Sequence, residues 1–416
     1  MTRLKERITG IKSSFSMFHH EKGQSLIMKY SKMLLGVSRL QRYLFMKDKY
    51  RLLSLTQNAV LSIPELSSIY HFPYFPTTHT EDVVKNLSKE LPAPLPLKQM
   101  NRESDVVFAR NTYGNTITSI GLTLEERRRH LYMLGATGTG KSTLLLSMIN
   151  QDVNNSKGVC VIDPHGELAE SALACVPEDR KDDVIYFNPD DLAYPIGINL
   201  LELTPNLSEE DSLREREFIA ESVVSLFRKV FSDAWAAHPH RIEYILRNTI
   251  HTAFTTEDPT FFTIYNLLND PVFRKDVINK LTDENLKNFW KFEFSKAGDY
   301  QQVKMVSPVT AKIGRFLFSP SAKRIIEQKK STINIDRIMD EGKILICNLS
   351  KGILGEDTSE VLGILLLNKI QLAALKRARQ ESQERKDFYL YVDEFQNFAT
   401  PSFIQMLSES RKYKLH

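Results

Sequence analysis

The chain has 416 residues, 42% hydrophobic and 25% charged, which is the composition of an ordinary globular protein with room for two or three domains. Its three cysteines, Cys160, Cys175 and Cys347, are widely spaced and lack any CxxC pair or Cys/His cluster. They argue against a disulfide framework or a zinc site and fit a reducing cytosol. The net charge of +4 is unevenly spread: residues 1–51 hold twelve Lys or Arg against three acids, a net +9, and the remainder carries −5. A basic arm on a mildly acidic body points to phosphate, in nucleic acid or in lipid headgroups, or to a solvated helical face.

In chain order, residues 1–60 read as a basic, partly amphipathic helical region, with Met33, Leu34, Val37, Leu40 and Leu44 near helical spacing. Pro- and aromatic-rich stretches at 70–76 and 91–96 read as loop and linker, so a basic helical amino-terminal region is expected over 1–100. A hairpin is expected over Val107–Arg110 and Thr116–Ile120 around Gly114-Asn115. Five short apolar runs then read as buried parallel strands: Leu131–Leu134, Val159–Ile162, Val184–Phe187, Ile344–Cys347 and Phe388–Val392. Their alternation with helical segments predicts an α/β domain over 101–205 and 339–416. The stretch 206–338 shows helix after helix, including Glu209–Phe231, His240–Phe254 and Asp283–Lys296, and reads as an all-helical insertion. No uncharged apolar run approaches the ~18 residues of a membrane span. The longest candidate, Val361–Leu375, is broken by Asn368, Lys369 and Gln371.

Gly135-Ala136-Thr137-Gly138-Thr139-Gly140-Lys141-Ser142, followed by Thr143, fits GxxxxGK[ST] at every fixed position. Glycines let successive N–H groups point at one phosphate, and the helix that follows aims its positive dipole end at the same anion. Lys141 is expected to neutralise the β- and γ-phosphates of ATP, and the Ser142 hydroxyl to coordinate Mg²⁺. Far along the chain, Phe388–Val392 ends in Asp393-Glu394. A carboxylate at the carboxyl end of a parallel strand faces the nucleotide crevice, so Asp393 is expected to hold Mg²⁺ and Glu394 to act as general base. Asp163-Pro164-His165-Gly166-Glu167 follows the second strand; Asp163 or His165 would reach the phosphates, or Asp163 would merely cap a turn.

The glycine loop preceded by Arg129-His130-Leu131, the Asp-Pro-His-Gly-Glu run, and Tyr391-Val392-Asp393-Glu394-Phe395-Gln396-Asn397-Phe398 resemble the type IV coupling proteins. These are TraD/TraG-like ATPases of conjugation and type IV secretion, grouped with the HerA and FtsK translocases in the RecA-like P-loop class. The resemblance spans about residues 105–416 and extends to Ala234-Trp235, Asn288-Phe289-Trp290 and Leu349-Ser350-Lys351-Gly352. It implies a RecA-like sheet, a hexameric ring with ATP at subunit interfaces, and an arginine finger, whose place Arg411 matches. It implies DNA, relaxosome or secretion-channel proteins as partners. Coupling proteins usually carry amino-terminal transmembrane helices, and this sequence departs from that pattern; a cytoplasmic chain is expected, with the basic region a candidate for contact with the inner face of the membrane. In such proteins a further strand lies between the phosphate-loop strand and the Asp393 strand and ends in a γ-phosphate-sensing residue. The sequence stops at Tyr413–His416, where that strand should begin, and reads as a fragment.

Three functions follow as expectations. The first is an ATP-driven motor moving DNA or a DNA–protein complex. The second is a related ATPase with other cargo, a HerA-like repair translocase or a protein-secretion ATPase. The third is a non-catalytic nucleotide-binding module that docks partners through its helical insertion.

Overall fold

The computed structural model describes residues 91–98, 103–113, 116–230, 239–296 and 316–416, with a few positions between 307 and 314. The amino-terminal region expected over 1–100 lies outside these residues except for 91–98, which end in a short 3-10 turn, Leu95–Lys98. The turn at Gly114-Asn115 and the Ala234-Trp235 pair also lie outside.

The hairpin forms as β1 (Val106–Tyr113) and β2 (Thr116–Leu122), paired antiparallel with an irregularity between Val107 and Ala109. A one-turn helix, α1 (Leu124–Arg127), follows. Its start is a reciprocal cap in which Thr123 Oγ1 accepts from the Glu126 N–H and Glu126 Oε2 accepts from the Thr123 N–H at 2.8 Å. Next come α2 (Lys141–Asn154), β3 (Gly158–Asp163), α3 (Glu167–Ala174) and β4 (Val184–Phe187). The helical stretch holds α4 (Glu209–Val230), α5 (Pro239–Ala253), α6 (Phe261–Asn269), α7 (Pro271–Lys280), α8 (Glu284–Asn288), α9 (Pro320–Ile326) and α10 (Ile335–Glu341). The chain returns to the sheet through β5 (Ile344–Asn348), α11 (Glu356–Lys376), β6 (Phe388–Val392) and α12 (Pro401–Ser410).

β3 to β6 form one parallel sheet in the order β4-β5-β3-β6, so both strands nearest the centre are flanked by crossovers. Parallel strands buried on both faces need continuous apolar runs, and β3 and β5 are buried at every position. Cys160 on β3 and Cys347 on the adjacent β5 are fully buried, whereas Cys175, at the end of α3, is partly exposed. Burial pushes the Cys347 thiol well above its ordinary pKa.

One face of the sheet packs on α2 and α3 through Met148, Ile149, Val153, Val159, Val161, Leu168 and Tyr391. The other shares a single core with α11 and the helical stretch, running from Cys160, Phe187 and Leu345 through Leu362 and Leu366 to Val223, Leu246 and Trp290. Burying each such side chain contributes about 1.5–3 kcal/mol. Trp290 is completely enclosed, and its indole N–H donates to Thr252 Oγ1 at 2.8 Å. Among the described residues, the helix Glu356–Arg379 is long and apolar enough to cross a membrane, by length and composition only. In this protein 83% of its apolar window is buried inside the fold, as a core helix.

One expected strand does not form. Leu131–Leu134 carries no ladder, and Leu131, Tyr132 and Leu134 are 47%, 71% and 81% exposed. A strand is held by pairing, and the outer edge of β6 is met instead by the carboxyl-terminal residues: Phe388 N–H donates to Lys414 O at 2.9 Å, and Leu390 N–H to His416 O at 2.8 Å. Among the described residues no segment pairs with Leu131–Leu134. An apolar run without a partner stays an exposed approach to the loop.

Candidate functional site

The glycine loop opens directly into α2. Gly138 and Gly140 adopt φ of 78° and 92°, and Gly140 is the residue that caps the helix. A side chain at either would meet no neighbour, so what demands glycine there is the left-handed backbone, not crowding. Thr139 Oγ1 donates to Ala136 O at 2.7 Å and tightens the turn, while Thr137 and Thr143 face solvent. The Lys141 ammonium lies back over the loop, donating to Gly135 O at 2.9 Å and Ala136 O at 3.3 Å.

β6 delivers the carboxylates to the same place. The Asp393 N–H donates to Ile162 O at 3.0 Å, which prolongs the β3–β6 ladder past the strand proper and holds Asp393 at the sheet's carboxyl edge. Asp393 is buried to 7% exposure, and the Ser142 hydroxyl donates to its Oδ2 at 3.3 Å. These two hard oxygen donors, 251 positions apart in the chain, suit a Mg²⁺ ion that takes its remaining ligands from nucleotide phosphates and water. Among the described residues no group of three or more His, Cys, Asp or Glu could hold a metal alone. Glu394 takes φ 46°, a left-handed backbone costing about 1–3 kcal/mol for a side chain of this kind. That kink turns the chain away from the strand. The Gln396 side-chain amide donates to the Glu394 carboxylate. Lys141, Asp393 and Glu394 line one cleft of about 810 Å³, walled by Leu131, Leu134 and Tyr391.

Two further candidate residues lie outside this meeting. Arg411 Nη2 donates to Glu125 Oε2 at 2.9 Å in a half-exposed ion pair, and it does not line the cleft of its own chain. Asp163 spends its carboxylate on backbone, accepting from the His165 N–H at 2.8 Å and the Ala169 N–H at 3.0 Å. It caps the turn into α3, where Gly166 takes φ 93°, and the His165 side chain is exposed.

Sequence reasoning missed a buried ionic cluster behind the site. Arg127 donates to Asp152 through both terminal nitrogens, at 2.7 and 2.6 Å, to Asp105 at 2.7 Å and to the Tyr391 hydroxyl at 2.9 Å. Its guanidinium stacks 3.8 Å above the Tyr389 ring. Lys157 closes the cluster, 2.6 Å from Asp105 and 3.1 Å from Asp152. Burial opposes the Arg127 charge, but the carboxylates of Asp152 and Asp105 outweigh it and hold its pKa above the usual value. Burial and then Asp152 push the Tyr391 phenol well up, so the phenol stays protonated and donates to Asp152 Oδ2 at 2.5 Å. One signal was present in the sequence: Asp152 falls on the apolar stripe of α2, among Met148, Ile149 and Val153. A charge on a buried stripe requires a partner.

The family model described as "Helicase HerA, central domain" matches residues 111–370, more than half of the chain. The chain belongs to the HerA helicase central-domain family. It is thereby one of the HerA/FtsK-type P-loop ATPases, and the loop, the parallel sheet and the acidic strand end are the parts of that fold. No curated protein sequence matches this HerA-family chain. Among solved structures it is similar to the bacterial conjugative coupling protein TrwBdeltaN70 in its unbound form, at 16% identity and a TM-score of 0.53 over 77% of this chain and 66% of that one. It is similar, at 17% identity and the same TM-score, to plasmid coupling protein TrwB in complex with the non-hydrolysable analogues GDPNP and ADPNP, over 77% of this chain and 68% of those chains. At such identity the likeness shows the RecA-like fold, and this chain spans just under two thirds of the first of these proteins.

Proposed function

We propose that this HerA-family chain is the ATP-hydrolysing core of a coupling-protein-type motor that drives DNA, or DNA bound to protein, through a ring of subunits. The observation that carries the reading is the meeting of Ser142 and Asp393 at 3.3 Å, at the edge of a cleft that Asp393, Lys141 and Glu394 line. Magnesium-bound ATP supplies the phosphoryl group and the charge neutralisation that hydrolysis needs. Lys141 and the N–H groups of the loop hold the β- and γ-phosphates; Ser142 and Asp393 hold the metal. Glu394 accepts a proton from the attacking water. Arg411 faces outward and serves the site of a neighbouring subunit, as an arginine supplied from outside would. The nucleotide complexes of the similar TrwB structures support the same use of the cleft here.

The expected result is ATP hydrolysis that rises when DNA is added at low salt and loses that stimulation steeply as salt increases, because tracking a phosphate backbone releases counterions. Steady-state phosphate release measured with and without single- and double-stranded DNA tests it, and no stimulation by either would sink the motor reading. The family description, a helicase, favours a second reading as a DNA-repair translocase. Relaxase and pilus-channel genes beside this reading frame would favour transfer, and nuclease genes would favour repair. Relaxosome or channel partners, and membrane contact through residues 1–60, belong to the first reading. Salt-reversible binding of that segment to anionic vesicles, absent from neutral ones, is its test.

A further inference from the structure

The Ser142–Asp393 meeting depends on how α2 lies against β6, and a second tie between these elements lies deeper in the fold. Side chains alternate along a strand, so Tyr391 and Asp393 project to the same face of β6, the face that α2 covers. Ser142 lies in the first turn of α2, and Asp152 sits near its end. Tyr391 donates to Asp152 at 2.5 Å, and Arg127 holds both, accepted by Asp152 at 2.6 Å and by the Tyr391 hydroxyl at 2.9 Å. Helix and strand are thus joined at two levels, one at the metal site and one buried behind it. Asp152 is fully enclosed and Tyr391 is 6% exposed, so solvent cannot substitute for either partner.

We propose that Tyr391 is a positioning residue: its phenol, clasped by Asp152 and Arg127, sets the height of the phosphate-loop helix on its strand and thereby the separation of Ser142 and Asp393. This rests on the reading of those two residues as the metal's protein ligands. Tyr389 provides the contrast. Its hydroxyl reaches only Asp105, at 3.3 Å, and makes no bond to α2. A change there trims the same cluster without freeing the helix.

The test compares binding of a fluorescent ATP analogue to the full chain in excess Mg²⁺ and in EDTA. Tyr391→Phe keeps the ring and removes the hydroxyl. It lowers the magnesium-dependent gain in affinity by about 10-fold, the size of effect seen when a group supporting a metal ligand is removed, while affinity in EDTA stays at the wild-type value. Asp152→Asn, which keeps the shape of the acceptor, carries the same expectation should Tyr391→Phe fold poorly. Tyr389→Phe retains the full gain. A wild-type magnesium gain in Tyr391→Phe overturns the proposal, as does an equal loss in magnesium and EDTA shared by Tyr389→Phe, which would mark a role in stability alone. The site reading itself fails, and this proposal with it, if Lys141→Ala binds the analogue as tightly as wild type in magnesium.

Discussion

Glu394→Gln leaves ATP binding intact and cuts turnover by about 10²–10⁴-fold, the range that a positioned general base contributes. The substitution keeps the side chain's size and removes only its capacity to take a proton. It leaves the Asp393–Ser142 pair untouched, because the Glu394 carboxylate contacts Gln396 and not the metal-side oxygens. The strained backbone at φ 46° belongs to the position, not to the charge, so thermal stability stays close to wild type. Steady-state kcat together with a separate nucleotide-binding isotherm checks the result, and a kcat within a few-fold of wild type would remove Glu394 from the chemistry. The same variant tests Arg411. Glu394→Gln subunits still offer an arginine, and Arg411→Ala subunits still offer a base. Mixed together, the two inactive proteins regain hydrolysis if the arginine acts across an interface, and stay inactive if Arg411 serves only its surface pair with Glu125.

Arg127→Ala destabilises the fold by about 3–5 kcal/mol, the usual cost of leaving a buried ion without its partner. Asp152 has no exposure at all, and Arg127 supplies two of the bonds to its carboxylate. Lys157 and Tyr391 remain to it, which places the loss toward the lower end of that range. Truncation also strips the stacked guanidinium from Tyr389. Arg411→Ala is the counterweight. Its pair with Glu125 is exposed on both sides, and such pairs contribute about 0–1 kcal/mol. Urea titrations of the two variants separate these cases, and equal midpoints would refute the buried-cluster account.

The site was legible where chemistry dictates residue types at fixed spacing. A phosphate needs converging N–H groups and a cation, so Gly135 to Thr143 announced itself. A divalent ion needs a carboxylate at a strand's carboxyl end, so Asp393 did too. The parallel sheet followed from apolar runs alternating with helices. What the sequence could not convey was pairing. Leu131–Leu134 has the apolar character of a strand, yet its hydrogen bonds require a neighbour that local pattern does not reveal. The cluster of Arg127, Asp105, Asp152 and Tyr391 was hidden for a related reason: its members are up to 286 positions apart and meet only once α2, β6 and the hairpin are stacked. Asp163 left its two roles open because a capping carboxylate and a phosphate-facing one look alike in a Pro-His-Gly turn.

The placement of the three thiols turns the molecule into its own stopwatch. Cys175 lies within reach of a maleimide in the native state, whereas Cys160 and Cys347 sit on adjoining strands at the heart of the sheet with no exposed surface. One thiol therefore labels first, and two wait for the strands to part. Counting adducts by mass against time reads the frequency of that opening. A nucleotide clamped between helix and strand would slow the second and third adducts and leave the first unchanged.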